Sequence, residues 1–186
     1  TFTDYSDPFI SEKNVNKLLI QNNDTVKNLF IENLDLNRCE RRLLENAMIR
    51  NAEVSVSLDG LLKVVVQPRK PIARIMGNTN AYLDQDNLIM PLSKEHTVNV
   101  PLIYGYHKKV QDKTFELINF IKSDELLKAS FTQVQFDRRD EVTLLLRAFN
   151  FKVILLKVYR IEHILINYNA FISYMQKYKS LVSLNT

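Results

Sequence analysis

The sequence predicts an α+β fold of two domains. The first is a small domain with helices on one face of a three-stranded sheet, and the second is a mainly antiparallel β-domain with flanking helices. Three observations predict it. The stretch Ala52–Ile75 reads as a hairpin reversed at Asp59-Gly60 and left through Pro68 and Pro71. Two short amphipathic segments precede it, and beyond Ile75 the texture changes to brief extended pieces with turns between them.

In chain order, Phe2 and Tyr5 suit extended structure, so Thr1–Tyr5 reads as part of a first strand. Ser11 is an N-cap, and Val15, Leu18 and Leu19 give the helix behind it an apolar stripe. Gln21–Thr25 is a polar loop. Asn37 caps a second helix in which Cys39, Leu43 and Ala47 share a face with Leu36, while Arg38, Arg41, Arg42 and Glu45 point outward. In the hairpin, Ala52, Val54, Val56 and Leu58 alternate with Glu53, Ser55 and Ser57, the period of a half-buried strand. Asp59-Gly60 suits a type I′ turn with positive φ at both central positions, and Leu61–Gln67 returns as a Val-rich strand. Pro68 and Pro71 remove two backbone donors, so that strand stops and another starts at Ile72. The first domain therefore covers residues 1–74 and the second residues 75–186.

The second domain opens with Ala81–Leu83, a polar turn at Asp84–Asn87, and Leu88–Met90 ahead of Pro91. Val98–Ile103 is extended and broken by Pro101. Val110, Thr114, Leu117, Ile118 and Ile121 recur at helical spacing, which lays a helix across the sheet. Residues 131–136 alternate so that Val134 and Phe136 share a face, and Val142–Arg147 and Phe151–Leu156 are apolar runs of strand length. Ile161, Ile164, Leu165, Tyr168, Ile172 and Met175 trace the stripe of a long helix over Arg160–Tyr178, before a last strand at Ser180–Thr186.

The composition describes a folded protein: 46% of the residues are hydrophobic and 25% charged, and 25 basic residues are interspersed with 21 acidic ones. A net charge of +4 spread in that way marks no nucleic-acid partner. Cys39, the single cysteine, excludes a disulfide scaffold and reads as an apolar filler. No run approaches the roughly 18 to 20 apolar residues of a membrane span, and no signal peptide opens the chain. Beginning without Met, the sequence reads as a fragment of a longer protein.

Catalytic constellations fail one by one. His96, His107 and His163 have no second ligand at metal-binding spacing. Glycine stands only at 60, 77 and 105, too dispersed for a loop that cradles phosphate. Asp84 and Asp86 imitate a carboxylate pair but sit in what reads as a solvated turn, and Ser93 lacks the elbow of a nucleophile. Arg38, Arg41 and Arg42 with Lys27, and Arg138-Arg139, have acidic neighbours and no interleaved aromatic platform. No cofactor is implied. Two modules with sheet edges and helices point to protein binding, with an unpaired edge strand as the docking device.

Particular residues carry a resemblance as well. Glu40 and Leu44, Ile49 with Ala52-Glu53-Val54, Gly60, Leu62-Val64-Val66 and then Gln67-Pro68-Arg69-Lys70-Pro71-Ile72-Ala73-Arg74-Ile75 stand in order. Tyr82-Leu83-Asp84, Met90-Pro91-Leu92-Ser93 and Val100-Pro101 to Gly105 follow. Over Phe9–Gly105 this succession resembles the cell-division family FtsQ, also called DivIB, and beyond Gly105 the layout of helix, strands and long helix is similar. Gln67 stands where the family has glutamate, and glycines of the family around Ala148–Leu156 are absent.

The resemblance implies a POTRA domain over residues 1–74 and a β-domain over 75–186. Gly60, Arg69, Pro71, Ala73, Asp84 and Pro91 would be its structural signature. It implies no enzymatic activity, a single membrane helix upstream of Thr1, and a place in the periplasm or outside the cell membrane. The partners would be FtsB- and FtsL-like bitopic proteins and other members of the divisome, with no nucleic acid. Docking by strand addition would fall at Leu181, Ser183, Leu184 and Asn185, although the chain stops before the family's final strand. A second class of function is a POTRA-type chaperone module of an outer-membrane assembly or secretion system, which a following β-barrel pattern would mark. An enzyme of unrecognised type would need a cleft with convergent polar groups.

Overall fold

The structure, a computed structural model, describes residues 9–20, 35–78, 80–93, 96–146 and 152–155. The strand expected at Thr1–Tyr5, the loop Gln21–Thr25, the helix Arg160–Tyr178 and the strand Ser180–Thr186 lie outside them. Among the described residues the chain runs α1 (Glu12–Ile20), α2 (Leu36–Leu44), β1 (Ile49–Val56), β2 (Leu62–Pro68), β3 (Pro71–Met76), β4 (Ala81–Asp84) and β5 (Ile89–Pro91). It continues through β6 (Leu102–Tyr104), α3 (Gln111–Ser123), α4 (Glu125–Ser130), β7 (Phe131–Phe136), β8 (Val142–Leu146) and β9 (Lys152–Leu155). These elements belong to two units, Thr1–Pro71 with Ala81–Asn99, and Ile72–Asn80 with Val100–Thr186.

In the first unit, Ser11 caps α1 as its side chain requires: Oγ accepts the Asn14 N–H at 3.3 Å. The second helix starts earlier than the sequence suggests. Asp35, not Asn37, is its cap, with Oδ1 accepting the Arg38 N–H at 2.9 Å. A carboxylate three residues before that orphan donor satisfies it and also suits the positive end of the helix dipole, which leaves Asn37 inside the first turn. The helix ends at Leu44, so Ala47 falls beyond it and is exposed instead of joining the apolar face. Val15, Cys39 and Leu43 from the helices close over Ile49, Ala52, Val54 and Val64 of the hairpin, a core on one face of the paired strands.

Strands β1 and β2 pair antiparallel with Val54 opposite Val64. Their reversal differs from the expected type I′ turn. Gly60 has φ +78° whereas Asp59 is not in the positive region. Gly60 donates to the Ser57 carbonyl at 2.9 Å, and Ser57 donates to the Leu61 carbonyl at 2.9 Å. This is a type I turn followed by a left-handed glycine, which takes three residues where two were expected. The added residue lifts Leu58 off the apolar face and leaves it fully exposed at 111%.

The second unit's strands lie in the order β3-β6-β7-β8-β9. Ile75 pairs with Ile103 and Ile103 with Val134 in parallel, whereas β7–β8 and β8–β9 are antiparallel. The sheet is thus mixed, with two parallel and two antiparallel pairings among these strands. Parallel neighbours need a crossover, and α3 with α4 supplies one between β6 and β7. Thr114, Leu117, Ile118 and Ile121 form the buried face of α3, as their spacing predicts. Thr114 hides its hydroxyl by donating to the Val110 carbonyl at 2.7 Å.

Candidate functional site

The residues that tie the β4–β5 hairpin to the rest of the first unit start from the bracket Pro68-Arg69-Lys70-Pro71. Between two prolines the backbone is extended and short of donors, so the groups that remain must find partners outside a ladder. Arg69 donates its N–H to the Met48 carbonyl at 2.9 Å, and Nε donates to the Ile49 carbonyl at 3.2 Å. Its Nη1 donates to Asp84 Oδ2 at 2.7 Å. The Lys70 carbonyl accepts the Gln85 N–H at 3.0 Å.

Asp84 has no exposed surface. Its charge is met on both oxygens, because Oδ1 accepts the N–H groups of Asp86 at 2.9 Å and Leu88 at 2.8 Å. The turn read from the sequence is present, but the carboxylate is enclosed where solvation was expected. Asp86 keeps the exposed role and forms a fork with Arg50, Nε to Oδ2 at 2.6 Å and Nη2 to Oδ1 at 2.8 Å. That bond pushes the Arg50 pKa further up and fixes its charge.

One turn geometry recurs at three hairpins whose turns are described. At Asp84–Leu88 and Asp137–Glu141, as at Ser57–Leu61, the first residue donates to the carbonyl of the fifth, and a left-handed residue stands fourth. Asn87 and Asp140 hold that place with φ +60°, residues that tolerate it for want of glycine. Arg138 and Arg139 occupy the central positions of the third turn, so the pair that suggested a basic patch is its exposed tip. His107 Nε2 lies 2.8 Å from Asp140 Oδ1 beside it.

Of the six signature residues, the structure brings Arg69 and Asp84 into contact and separates the others by role. Gly60 shapes a turn, Pro71 opens β3, Ala73 is fully buried, and Pro91 ends β5 in an exposed position. Leu181, Ser183, Leu184 and Asn185 lie outside the described residues. Sequence reasoning missed Arg50 and Asp86 as partners, since nothing in a linear reading joins a strand's second residue to a turn 36 positions on.

The remaining candidates offer little chemistry. Burial drives the Cys39 thiol pKa up, which makes it inert filler. Ser93 Oγ accepts the His96 N–H at 3.2 Å, a turn role. A shallow groove lined by Phe9, Ile10, Met48 and Leu92 with Asn14, Asn46 and Ser93 contains no titratable side chain to act as acid or base. Among the described residues no group of three or more His, Cys, Asp or Glu could hold a metal ion.

A family model, FtsQ/DivIB, C-terminal related, matches residues 70–186. The chain belongs to the FtsQ/DivIB C-terminal related family. The match opens at Lys70 inside the proline bracket and takes in the β4–β5 hairpin, so Asp84 and Asp86 lie in the family's part of the chain and Arg50 and Arg69 precede it. FtsQ/DivIB proteins are non-catalytic division proteins anchored in the membrane with the C-terminal part outside, and membership points to a role in cell division. Among the described residues no helix is long and apolar enough to cross a membrane. No curated protein matches the chain.

Proposed function

We propose that the protein is a non-catalytic scaffold of the division machinery, the extracytoplasmic part of a single-pass membrane protein. On this reading it binds FtsB- and FtsL-like bitopic proteins and couples septum assembly to peptidoglycan synthesis. The observation that carries the reading is the family match over residues 70–186. The first unit's order of two helices and a hairpin, with both helices on one face, suits a POTRA-like domain, and the strand-rich second unit suits a β-domain. Partner docking would use strand addition at Leu181, Ser183, Leu184 and Asn185, the mode in which an extended segment pairs with the backbone of a sheet edge.

The test is co-purification of the full-length gene product from solubilised membranes, in wild-type form and as Ser183→Pro. Recovery of division proteins with the wild type, and their loss with a variant whose first unit still gives native amide shifts, is the expected result. A wild-type preparation that brings down no division protein would remove the scaffold reading. Equal recovery by both forms would remove the terminal strand from it.

A further inference from the structure

We propose that Glu40 guards the outer edge of β1 and that, when Glu40 is displaced, a second copy of this chain adds its own β1 there in antiparallel register. This edge lies in the first unit and is independent of the division role. Among the described residues β1 pairs with β2 alone, along a strand of eight residues without proline. Ser57 and Leu61 are a hydrogen-bonded pair, so the alternation of an antiparallel ladder directs the backbone of Ser55 and Glu53 toward β2. Val56, Val54 and Ala52 consequently turn their N–H and C=O groups to the outside.

At the middle of that edge stands a side chain. Glu40, half-buried on α2, accepts the Val54 N–H on Oε1 at 2.8 Å. An edge of this length is a template for strand addition, and a carboxylate pointed at it both removes a donor and repels an incoming carbonyl. No requirement of the helix explains the contact, since Glu40 lies in mid-helix, where the backbone is already satisfied.

The edge is also self-complementary. Centring two antiparallel copies on Val54 exchanges the N–H and C=O of Val54 with those of its counterpart. That register sets Glu53 against Ser55 of the other copy and Ala52 against Val56. No like charges face each other, and the exposed and core faces of the two hairpins continue across the join.

Sedimentation velocity over a concentration series decides it, with the whole chain as wild type, Glu40→Ala, Glu40→Ser and Glu40→Gln. Both short replacements should shift the weight-average mass toward dimer as concentration rises. Glu40→Gln should sediment as wild type, because its amide oxygen can still accept the Val54 N–H. In the Ala and Ser variants the Val54 amide should exchange faster than in wild type when dilute and slow again with concentration. If the folded Ala and Ser variants match wild type at every concentration, or Val54 exchange does not respond to concentration, the guard is refuted. Failure of both short variants to fold also refutes it, since Glu40 would then hold the fold together and not police its edge.

Discussion

Asp84 shows how a charge survives without water: one guanidinium and two backbone donors converge on it. Replacing it with Asn keeps an acceptor for the two amides but leaves Arg69, only 20% exposed, opposite a neutral group. Breaking one side of a buried pair is expensive, so Asp84→Asn should lower the unfolding free energy by about 3 kcal/mol. Urea denaturation with an unchanged m-value measures this, and a loss below about 1 kcal/mol would show that the pair contributes no more than a surface bridge. The sequence displayed Asp84 as one of two turn carboxylates. What it could not display is which of the two the fold encloses, because burial is decided by Arg69 and the hairpin packing together. Asp59 is a gentler case: hydrogen bonding from the Ser57 hydroxyl holds its pKa below the usual carboxylate value. A depressed folded pKa means that the bond stabilises the native state above the ordinary carboxylate range and that this is lost as pH falls through the folded pKa. Ser57→Ala should therefore raise the Asp59 pKa, as read from its side-chain carbon shift in an NMR titration, and an unmoved midpoint would assign the depression to the backbone donors instead.

At the scale of elements, periodicity located most of what exists. The stripe Thr114–Leu117–Ile118–Ile121 and the alternation Val134–Phe136 are faces that burial selects directly, so they were legible. Helix α4 was not, since six residues capped by Asp124 are too few to show a period. Neither was the mixed pairing of the sheet, because strand direction is set by the path between strands and not by their composition. Turn type also escaped: Asp-Gly is compatible with two reversals, and only the hydrogen bonds distinguish them. Gly105 follows β6 with φ +69°, and a Cβ there would meet the Phe136 carbonyl oxygen at 2.1 Å, whereas a Cβ on Gly77 meets nothing within 4 Å. Left-handed geometry alone costs alanine roughly 1–2 kcal/mol, and the clash with rigid backbone adds to it. Gly105→Ala should lower the melting temperature sharply while Gly77→Ala leaves it nearly unchanged. Equal melting temperatures would mean that the close approach of β6 and β7 yields without cost.

For the whole molecule, the chain does not pass through its two units once each. It enters the second at Ile72, spends Ala81–Asn99 in the first, and returns at Val100. Contacts inside the first unit give that excursion a physical basis, with Arg69 and Arg50 holding Asp84 and Asp86, and with Phe9 set edge-on to Tyr82 at 6.2 Å. Cooperative opening follows such contacts and not chain order. Leu43 is fully buried beneath β1, and truncating it to Ala should cost about 2–5 kcal/mol through lost burial and a cavity. Under native-state hydrogen exchange, Leu43→Ala should then lower the protection of Val65 and Tyr82, whose N–H groups face the partner strands β1 and β5, by the same amount, while Ile103, Val134 and Leu144 hold theirs. A division between residues 74 and 75 makes the opposite demand. If Tyr82 and Met90 keep their protection along with Ile103 and Val134 when Leu43 is cut back, the hairpin belongs with the second domain, and the arginine clasp is a local bond across which no stability passes.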